Sequence, residues 1–313
     1  MIATEAEVPT RAGARWGAGA RYFEYHRAAD PLATGAITPV PLRQFAPVTP
    51  GATGELPLDV SGDLGTTWAA TSPALLASFV QVDAGRRLTT APVATSELYY
   101  VLHGAGTSTL DDGVLTWAEG DLFVLPGGSR AEHVASSAAV LYHVTDEPLL
   151  AYLGVAPIRR RFQPTLFSRA ELASELERVA SEPDASSRNR IAVLLGTAEQ
   201  TQTLTVTHTL WAMLGLVPVD AVQKPHRHQS VALDLVVDCQ PGCYTLVGDQ
   251  VDPGSGQIVD PQRVDWEPGA AFITPPGLWH SHHNESGHEA RILPIQDAGL
   301  HTHLRSLDIR FRP

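Results

Sequence analysis

The chain has 313 residues, of which 43% are hydrophobic and 18% charged, and this length suits a globular protein with two domains of about 150 residues each. Its formal net charge of −12 argues against nucleic acid or an anionic membrane surface as a partner. No stretch is apolar enough to cross a bilayer and Met1–Tyr25 lacks the apolar run of a signal peptide, so a cytoplasmic location is expected.

Strand-length runs of Thr, Val, Leu and aromatic residues recur between Gly and Pro turns in both halves, a pattern typical of sandwiches or barrels. These runs are Glu97–Leu102, Asp121–Leu125, Val140–Val144, Leu233–Val237 and Ala270–Thr274. One helix is predicted at Ser168–Ala180, where Ser168 and Glu171 form a capping box ahead of an apolar face. The polar stretch Glu182–Arg190 that follows is predicted to be a linker.

An internal repeat relates the two halves. The segment Trp117–Gly128 returns as Trp266–Gly277, and both copies carry Trp, Gly, Phe, Pro and Gly at the same spacing. In each copy a Gly turn would open a strand, and a Pro–x–Gly turn would send the next strand back to the interior. The repeat therefore predicts an all-β protein of two related barrels.

Three histidines of the second half have the spacing of a metal site. His226 and His228 are two residues apart before a predicted strand, so both imidazoles can face a barrel interior. His280 follows the Pro–x–Gly turn and would add a third imidazole from a neighbouring strand. Three nitrogen ligands leave coordination positions open for a substrate and oxygen, which suits iron(II), or alternatively Mn, Ni or Zn.

The motifs around these histidines resemble those of the cupin superfamily. The pattern Gly269-x5-Pro275-x-Gly277-x2-His280-x3-Asn284 fits the second cupin motif, and His226-x-His228 fits the start of the first. The glutamate that usually follows in the first motif is absent, since Ala232 and Leu233 stand there. The resemblance implies two double-stranded β-helix (jelly-roll) barrels and a three-histidine site of the kind found in ring-cleaving and thiol dioxygenases.

A nearer likeness is to the bicupin gentisate, salicylate and hydroxynaphthoate 1,2-dioxygenases. The second half resembles their metal-bearing cupin at Leu210–Met213, Pro225–Leu233 and Thr274–Asn284. The first half resembles their metal-free cupin at Ser96–Val101, Gly120–Pro126, Glu132–His133 and Asp146–Pro148. In those enzymes the metal-bearing cupin comes first in the chain, whereas here it comes second, which suggests a permuted or separately assembled pair.

The resemblance implies a role for five residues. His226, His228 and His280 would bind iron(II). His282, two residues beyond His280, would lie beside the substrate as a hydrogen-bond partner or acid–base group. Trp211 would form part of the pocket wall.

The sequence departs from the family at the predicted substrate pocket. Asp234 stands where salicylate-type enzymes place an arginine that can grip a carboxylate, and Gly215 stands where a glutamine is expected. Asp234 would repel a carboxylate unless protonated, so the substrate is predicted to lack one there, or to offer Asp234 an amine or hydroxyl. Asp234 is therefore predicted to bind substrate and to act in catalysis. Arg291 is a candidate to replace the missing arginine.

The first barrel lacks the metal pattern. Ala131 occupies the position of His280 and Thr89–Ser96 contains no histidine, so this barrel is predicted to be structural or a wall of the pocket. The predicted divisions of the chain are an N-terminal extension at 1–54, a metal-free barrel at 55–155, a helical linker at 156–203 and a metal-binding barrel at 204–313.

Other side chains with metal-ligand chemistry are not predicted to bind metal. His301 and His303 repeat the two-residue spacing, but no second motif follows them, and a structural role is expected. Cys239 and Cys243 are expected to be plain buried or loop thiols, as in a reducing cytosol.

Three functions are compatible with this sequence. The first is a non-haem Fe(II) dioxygenase resembling gentisate 1,2-dioxygenase, which would use O2 to cleave a small aromatic or enolic chelating substrate. The second is a non-oxidative isomerase, decarboxylase or lyase, in which the metal is a Lewis acid and Asp234 or His282 moves protons. The third is a cupin that binds a small molecule without turnover. The resemblance also implies association into a homo-oligomer through barrel faces.

Overall fold

The computed structural model describes residues 16–128 and 130–312, which fall into two compact units divided between Pro39 and Val40. The described part of the smaller unit contains a 3-10 turn, Trp16–Gly19, and helix α1, Tyr25–Ala28. Glu24 caps α1, because its carboxylate accepts hydrogen bonds from the first backbone N–H groups of the helix. No helix among the described residues is long and apolar enough to span a bilayer.

The larger unit is built almost entirely of antiparallel strands. In chain order they are β1 Arg43–Phe45, β2 Gly54–Pro57, β3 Leu76–Val82, β4 Arg87–Thr90, β5 Ser96–Leu110, β6 Gly113–Ala118, β7 Leu122–Pro126, β8 Ala131–Thr145, β9 Thr165–Phe167, β10 Ile191–Leu195, β11 Trp211–Val217, β12 Val222–Arg227, β13 Ala232–Asp238, β14 Cys243–Gly248, β15 Gln262–Asp265, β16 Ala271–Thr274, β17 Trp279–Asn284, β18 Ala290–Gln296 and β19 Arg310–Phe311. The five predicted strand runs all fall on these strands, although Asp121 and Ala270 just precede β7 and β16.

Short helices connect the strands. They are α2 Ser61–Leu64, α3 Glu147–Leu153, α4 Arg169–Ala180, α5 Ala298–Leu304 and a 3-10 turn at Ala185–Ser187. The predicted helix is α4, and its capping box is present, with Ser168 and Glu171 each bonding the other's backbone N–H. Leu172 and Leu176 are buried on the face of α4 that packs toward β10 and β11.

The first barrel is an eight-stranded sheet in the order β2-β3-β8-β5-β7-β9, with β4 paired to β8 and β6 paired to β5. Side chains alternate between the two faces of each strand. Tyr99 and Leu141 therefore fill the barrel interior with Phe123. Their neighbours Leu98 and Tyr142 face the other way, into a core shared with the second half of the chain.

The second barrel consists of two sheets, in the orders β1-β16-β13-β18-β11-β10 and β15-β14-β17-β12-β19. Two strands from outside the predicted barrel at 204–313 contribute to the first of these sheets. Strand β1 pairs with β16 and β10 pairs with β11. Leu233, Leu235 and Ile295 point from this sheet into the shared core, which joins the two barrels. The four predicted divisions of the chain stay predictions.

Each barrel contains the same kind of hydrogen-bonded cluster, of which the sequence repeat predicts only a part. In each barrel a tryptophan Nε1–H donates to a hydroxyl, which also bonds the Nδ1 of a histidine. The clusters are Trp117, Ser108 and His133 in the first barrel and Trp266, Thr245 and His282 in the second, with donor–acceptor distances of 2.8–2.9 Å. The Pro–x–Gly turns match as well, with glycine φ angles of 76° and 78°. The predicted architecture of two barrels with matching turns is confirmed.

An ion pair centred on the buried His143 lies inside the first barrel. His143 Nδ1 lies 3.3 Å from Glu55 Oε1, and its Nε2 lies 3.4 Å from Oε2 of the fully buried Glu97. Burial opposes the charged imidazole, but the two carboxylates outweigh it and raise the pKa of His143 to about 9. His143 is therefore a cation at neutral pH.

This raised pKa predicts a loss of stability at alkaline pH. Below the ordinary histidine pKa of 6.5 the imidazolium is present in both the folded and the unfolded chain, so its stabilising effect is complete. Between pH 6.5 and 9 the folded protein holds one proton more, and the free energy of unfolding should fall by about 2 kcal/mol, given the partial exposure of Glu55. Urea unfolding at both pH values measures this fall in the free energy of unfolding.

His143→Gln should remove most of this decline, because glutamine does not titrate. His103→Gln is the matched control, since His103 pairs with Glu119 on the surface, where both side chains are more than half exposed. An equally steep decline in His143→Gln would assign the effect to other groups.

Candidate metal centre

Two neighbouring strands of the second barrel bring three histidines together. His226 lies on β12, His228 directly follows that strand, and His280 lies on β17 opposite His226 in the antiparallel register. One ring nitrogen from each histidine lies within 4.8 Å of the other two. The side chains are only 2–4% exposed. The predicted convergence of these imidazoles is therefore present in the fold.

Backbone carbonyls orient two of the rings. The Nδ1–H of His228 donates to the Ser230 carbonyl at 2.8 Å, and that of His280 donates to the Leu278 carbonyl at 3.2 Å. Because a neutral imidazole has one protonated nitrogen, the Nε2 of each ring keeps its lone pair. Such hydrogen bonds are typical of histidines that ligate a metal through the other nitrogen.

The centre strongly favours neutral imidazoles. Burial, reinforced by the charge of Arg190 and by the neighbouring histidines, lowers the pKa of His226 well below its usual value. Burial likewise lowers the pKa of His280 far below 6.5 and that of His228 to about 4. All three rings are therefore in the metal-binding form at neutral pH.

His282 lies on the same face of β17 as His280. Its Nε2 accepts a hydrogen bond from Arg190 Nη2 at 3.1 Å, so its proton must be on Nδ1, which donates to Thr245 Oγ1 at 2.8 Å. Thr245 accepts a second bond from Trp266 Nε1 at 2.8 Å. Burial, with the charge of Arg190, lowers the pKa of His282 well below its usual value. The Nε2 lone pair of His282 is thus engaged by Arg190, whose Nη2 also contacts His226.

Asp234 is a buried group on the inner face of β13. Its neighbours Leu233 and Leu235 belong to the core between the barrels, so Asp234 points to the opposite face, into the second barrel. Its Oδ2 accepts a hydrogen bond from Thr274 Oγ1 at 2.6 Å, and its side chain is 2% exposed. Burial raises the pKa of Asp234 to about 6, against the opposing effects of Thr274 and Arg190.

Trp211 begins β11 and is half-buried. It alternates with Ala212, which belongs to the core between the barrels, so the indole lies on the inner face of the second barrel. In the described part of the chain, no aromatic ring contact joins Trp211 to His226, His280 or His282. Its predicted place in the pocket wall stays a prediction.

Arg190 enters the centre from the stretch that the sequence predicts to be a linker. It immediately precedes β10, and its Nη2 lies 2.5 Å from His226 Nε2 as well as 3.1 Å from His282 Nε2. Arg291 lies instead on the surface of β18, paired with Asp238 and 39% exposed. Arg291 therefore does not lie in the site. The arginine that does is Arg190, which belongs to no motif recognised in the sequence.

The last strand covers one side of the centre. Strand β19 pairs with β12, and the ring of Phe311 stacks on His226 with a centroid distance of 5.8 Å and an interplanar angle of 14°. The guanidinium groups of Arg227 and Arg312 lie 5.2 and 5.5 Å from the centroid of Trp279. Because Arg227 alternates with His226 along β12, its side chain lies on the face of the strand that points away from the centre.

The remaining candidates lie outside the centre. His301 and His303 are on helix α5, where residues two apart point in different directions. Cys239 and Cys243 are free and buried, as expected.

Comparison with known proteins supports the cupin assignment. No known family model matches the chain. The chain is 37% identical over 62 residues to a 5-aminosalicylate 1,2-dioxygenase of Comamonas sp, covering 20% of this chain and 17% of that protein. It is 36% identical over 53 residues to a gentisate 1,2-dioxygenase of Haloferax sp, covering 17% of this chain and 15% of that protein. The chain thus matches less than a fifth of the length of these relatives.

Solved structures extend the likeness to the whole fold. A salicylate 1,2-dioxygenase from Pseudoaminobacter salicylatoxidans, crystallised with gentisate, superposes with a TM-score of 0.70 at 11% identity, over 87% of this chain and 86% of that one. The chain therefore has the predicted architecture of two cupin barrels, and its short sequence matches are to a 5-aminosalicylate and a gentisate 1,2-dioxygenase.

Proposed function

We propose that this protein is a non-haem Fe(II) dioxygenase that cleaves a small aromatic or enolic substrate with O2, as gentisate-type enzymes do. The observation that carries the proposal is the convergence of three buried, neutral histidines within 4.8 Å in the second cupin barrel. The named relatives support the choice of reaction, because both are ring-cleaving dioxygenases.

The donor set fits a divalent metal ion. His226, His228 and His280 would hold Fe(II) through Nε2, and Ala232 supplies no carboxylate where the usual cupin glutamate would stand. Three neutral ligands leave the full metal charge available to an anionic chelating substrate. Bound iron would supply the electron transfer that activates O2.

The chain's own residues would bind and deprotonate the substrate. When Arg190 releases the Nε2 of His282, that nitrogen could accept the proton of a substrate hydroxyl, while Thr245 fixes the ring. Asp234, with its pKa raised to about 6, can hold a proton or accept a hydrogen bond from a substrate hydroxyl or amine. Trp211 would form one wall of the pocket.

Several accompanying properties belong to the same proposal. The partners would be a small aromatic molecule and O2, with neither nucleic acid nor a membrane involved. The protein would be cytoplasmic and would associate into a homo-oligomer through barrel faces. The first barrel, whose interior is occupied by the His143 ion pair, would have a structural role.

Asp234 favours a second candidate, non-oxidative metal catalysis. A buried carboxyl with a pKa near 6, in the same barrel as a neutral histidine, suits the transfer of protons in an isomerase, decarboxylase or lyase. Such a reaction would consume no O2, so oxygen demand separates the two candidates.

Oxygen uptake is the test. Protein loaded anaerobically with Fe(II) would be given gentisate, salicylate, 5-aminosalicylate, aminophenols and catechols in an oxygen electrode. Uptake with one member of the panel, with a ring-opened product of matching stoichiometry, is the expected result. No uptake with any member, despite stoichiometric iron, would count against the dioxygenase and favour the non-oxidative candidate.

A further inference from the structure

The first barrel contains a cavity of about 400 Å³. Strands β3 and β8 form one wall, since Ser78 and His143, which are partners in the antiparallel register, both line it. Thr90, the last residue of β4, and Glu55 of β2 line it as well. Pockets for small molecules typically enclose about 300–1,000 Å³. The first barrel therefore has space for a small ligand, although it lacks the histidines of a metal site.

This cavity corresponds in position to the candidate metal centre of the second barrel. Ala131 matches His280 in the sequence repeat. Thr90 pairs with Ala131 in the first barrel, just as His226 pairs with His280 in the second. Thr90 therefore stands at the place of the metal-binding His226, and it lines the cavity.

The first barrel also has a carboxylate at a place where the second barrel has none. Glu97 pairs with Leu125 of β7. In the second barrel the repeat matches Leu125 to Thr274, and Thr274 pairs with Ala232. Glu97 thus stands at the place of the usual cupin glutamate, which Ala232 occupies in the second barrel.

One oxygen of Glu97 is unused. The side chain is fully buried, and its Oε2 accepts a hydrogen bond from the hydroxyl of Tyr99 at 2.7 Å. Its Oε1 has no hydrogen-bond partner within the described ranges 16–128 and 130–312. Glu97 lies on the same face of the sheet as its register partner Thr145 and as His143, and both of these line the cavity. An enclosed acceptor of this kind is costly unless a donor satisfies it.

The cavity and its surroundings are acidic. Glu55 and Glu147 line it, and Glu97 lies against His143, with 3.4 Å between Glu97 Oε2 and His143 Nε2. The described lining residues include neither Lys nor Arg, so three carboxylates are balanced by a single imidazolium. The hydrogen bond from His143 holds the pKa of Glu55 below its usual value, so Glu55 is an anion at neutral pH. This excess of negative charge favours a cationic ligand.

The remaining lining indicates an organic cation. The hydroxyl oxygens of Thr90 and Thr145 can accept hydrogen bonds, while Leu76 and Pro92 give the cavity an apolar side. An ammonium group has three N–H donors and no acceptor, which suits carboxylate and hydroxyl oxygens. A bare metal ion would leave the apolar side unused, whereas a short hydrocarbon chain would cover it.

We propose that this cavity binds a small organic cation, a primary ammonium group carried on a short hydrocarbon chain. The ammonium would pair with Glu55 and Glu147, and the chain would lie against Leu76 and Pro92. The inference does not depend on the metal site, and it adds a ligand to the structural role proposed for the first barrel. The two barrels would then bind different ligands at corresponding places.

Calorimetry with n-butylamine tests the proposal. This amine is a cation at neutral pH, while 1-butanol and butyrate carry a neutral and a negative head group on a chain of the same length. Each would be titrated into the full chain. Butylammonium should bind at least about tenfold more tightly than butanol, and butyrate should not bind. Equal binding of the amine and the alcohol, tighter binding of butyrate, or no binding of the amine would each overturn the proposal.

Two variants locate the binding in the cavity. Glu55→Gln should weaken butylammonium binding by about tenfold, because it removes a carboxylate and keeps the shape of the side chain. Glu147→Gln should weaken it several-fold, and the glutamine oxygen can still accept the hydrogen bond from the Val93 N–H. Wild-type affinity in both folded variants would overturn the proposal.

Glu132→Gln is the matched control. Glu132 belongs to the same barrel, pairs with Arg87 at the surface and does not line the cavity. It should bind butylammonium as the wild type does. A loss equal to that of Glu55→Gln would trace the binding to the net charge of the barrel and overturn the proposed site. Circular dichroism of each variant ensures that a loss of binding is not a loss of fold.

A lysine side chain carries the same ammonium group, so a peptide probe separates the two sources. The tripeptide glycyl-lysyl-glycine should bind more weakly than butylammonium, because a cavity of about 400 Å³ encloses a small amine more readily than a side chain with its peptide backbone. Tighter binding of the tripeptide, lost in Glu55→Gln, would assign the site to a protein partner and overturn the small-molecule ligand.

Discussion

His228→Ala is expected to abolish metal binding and to lower the kcat/KM of the proposed ring cleavage by on the order of 10³-fold or more. The variant keeps only two convergent imidazoles, and Ala232 offers no carboxylate at the place of the usual cupin glutamate. Metal content after anaerobic Fe(II) loading and oxygen uptake measure the two effects.

The fold should survive this change. His228 is buried but makes only short-range hydrogen bonds to Ser230, so its removal should cost about 1–3 kcal/mol of unfolding free energy. His303→Ala, on helix α5, is the matched control and should retain metal and activity. Stoichiometric iron in a folded His228→Ala would remove this histidine from the metal site.

His282→Gln should separate catalysis from metal binding. We expect kcat to fall by about 10²–10⁴-fold while the metal content stays at the wild-type level, because the variant loses the Nε2 base but none of the three converging ligands. Glutamine keeps a polar side chain of similar length beside Thr245, which limits the loss of stability. Single-turnover oxygen consumption with the preferred substrate measures the chemical step.

The next residue along β17 provides the control. His283 points to the other face of the strand, where it stacks on Tyr244 at a centroid distance of 4.7 Å and bonds Ser281. His283→Gln should leave kcat unchanged. If His282→Gln instead released the metal, His282 would be a ligand; if it kept full kcat, the proton acceptor would lie elsewhere.

Local patterns in the sequence predict much of this architecture. The repeat of Trp, Gly, Phe, Pro and Gly fixes the same turns in both barrels, and the spacing of His226 and His228 follows from strand periodicity. The meeting of His226 with His280 follows from the register of β12 and β17. Each of these features depends on a few neighbouring residues or on a motif repeated within the chain.

Arg190 could not be predicted in this way. It ends a polar stretch with the composition of a linker, and its guanidinium reaches the centre only because β10 pairs with β11 at the edge of the second barrel. Strand β1 poses the same difficulty, since its three residues carry no alternation and pair with β16, far along the chain. Long-range pairing of short strands leaves little trace in composition or periodicity.

The pairing of β1 with β16 can form only late in the synthesis of the chain. Arg43 leaves the ribosome long before its partner Ile273, and the whole first barrel is translated between them. Until β16 is made, β1 has no partner strand. Because β1 is short and begins with a charged and a polar residue, it is a poor template for intermolecular association. A nascent chain truncated before β16 should therefore expose β1 to proteolysis.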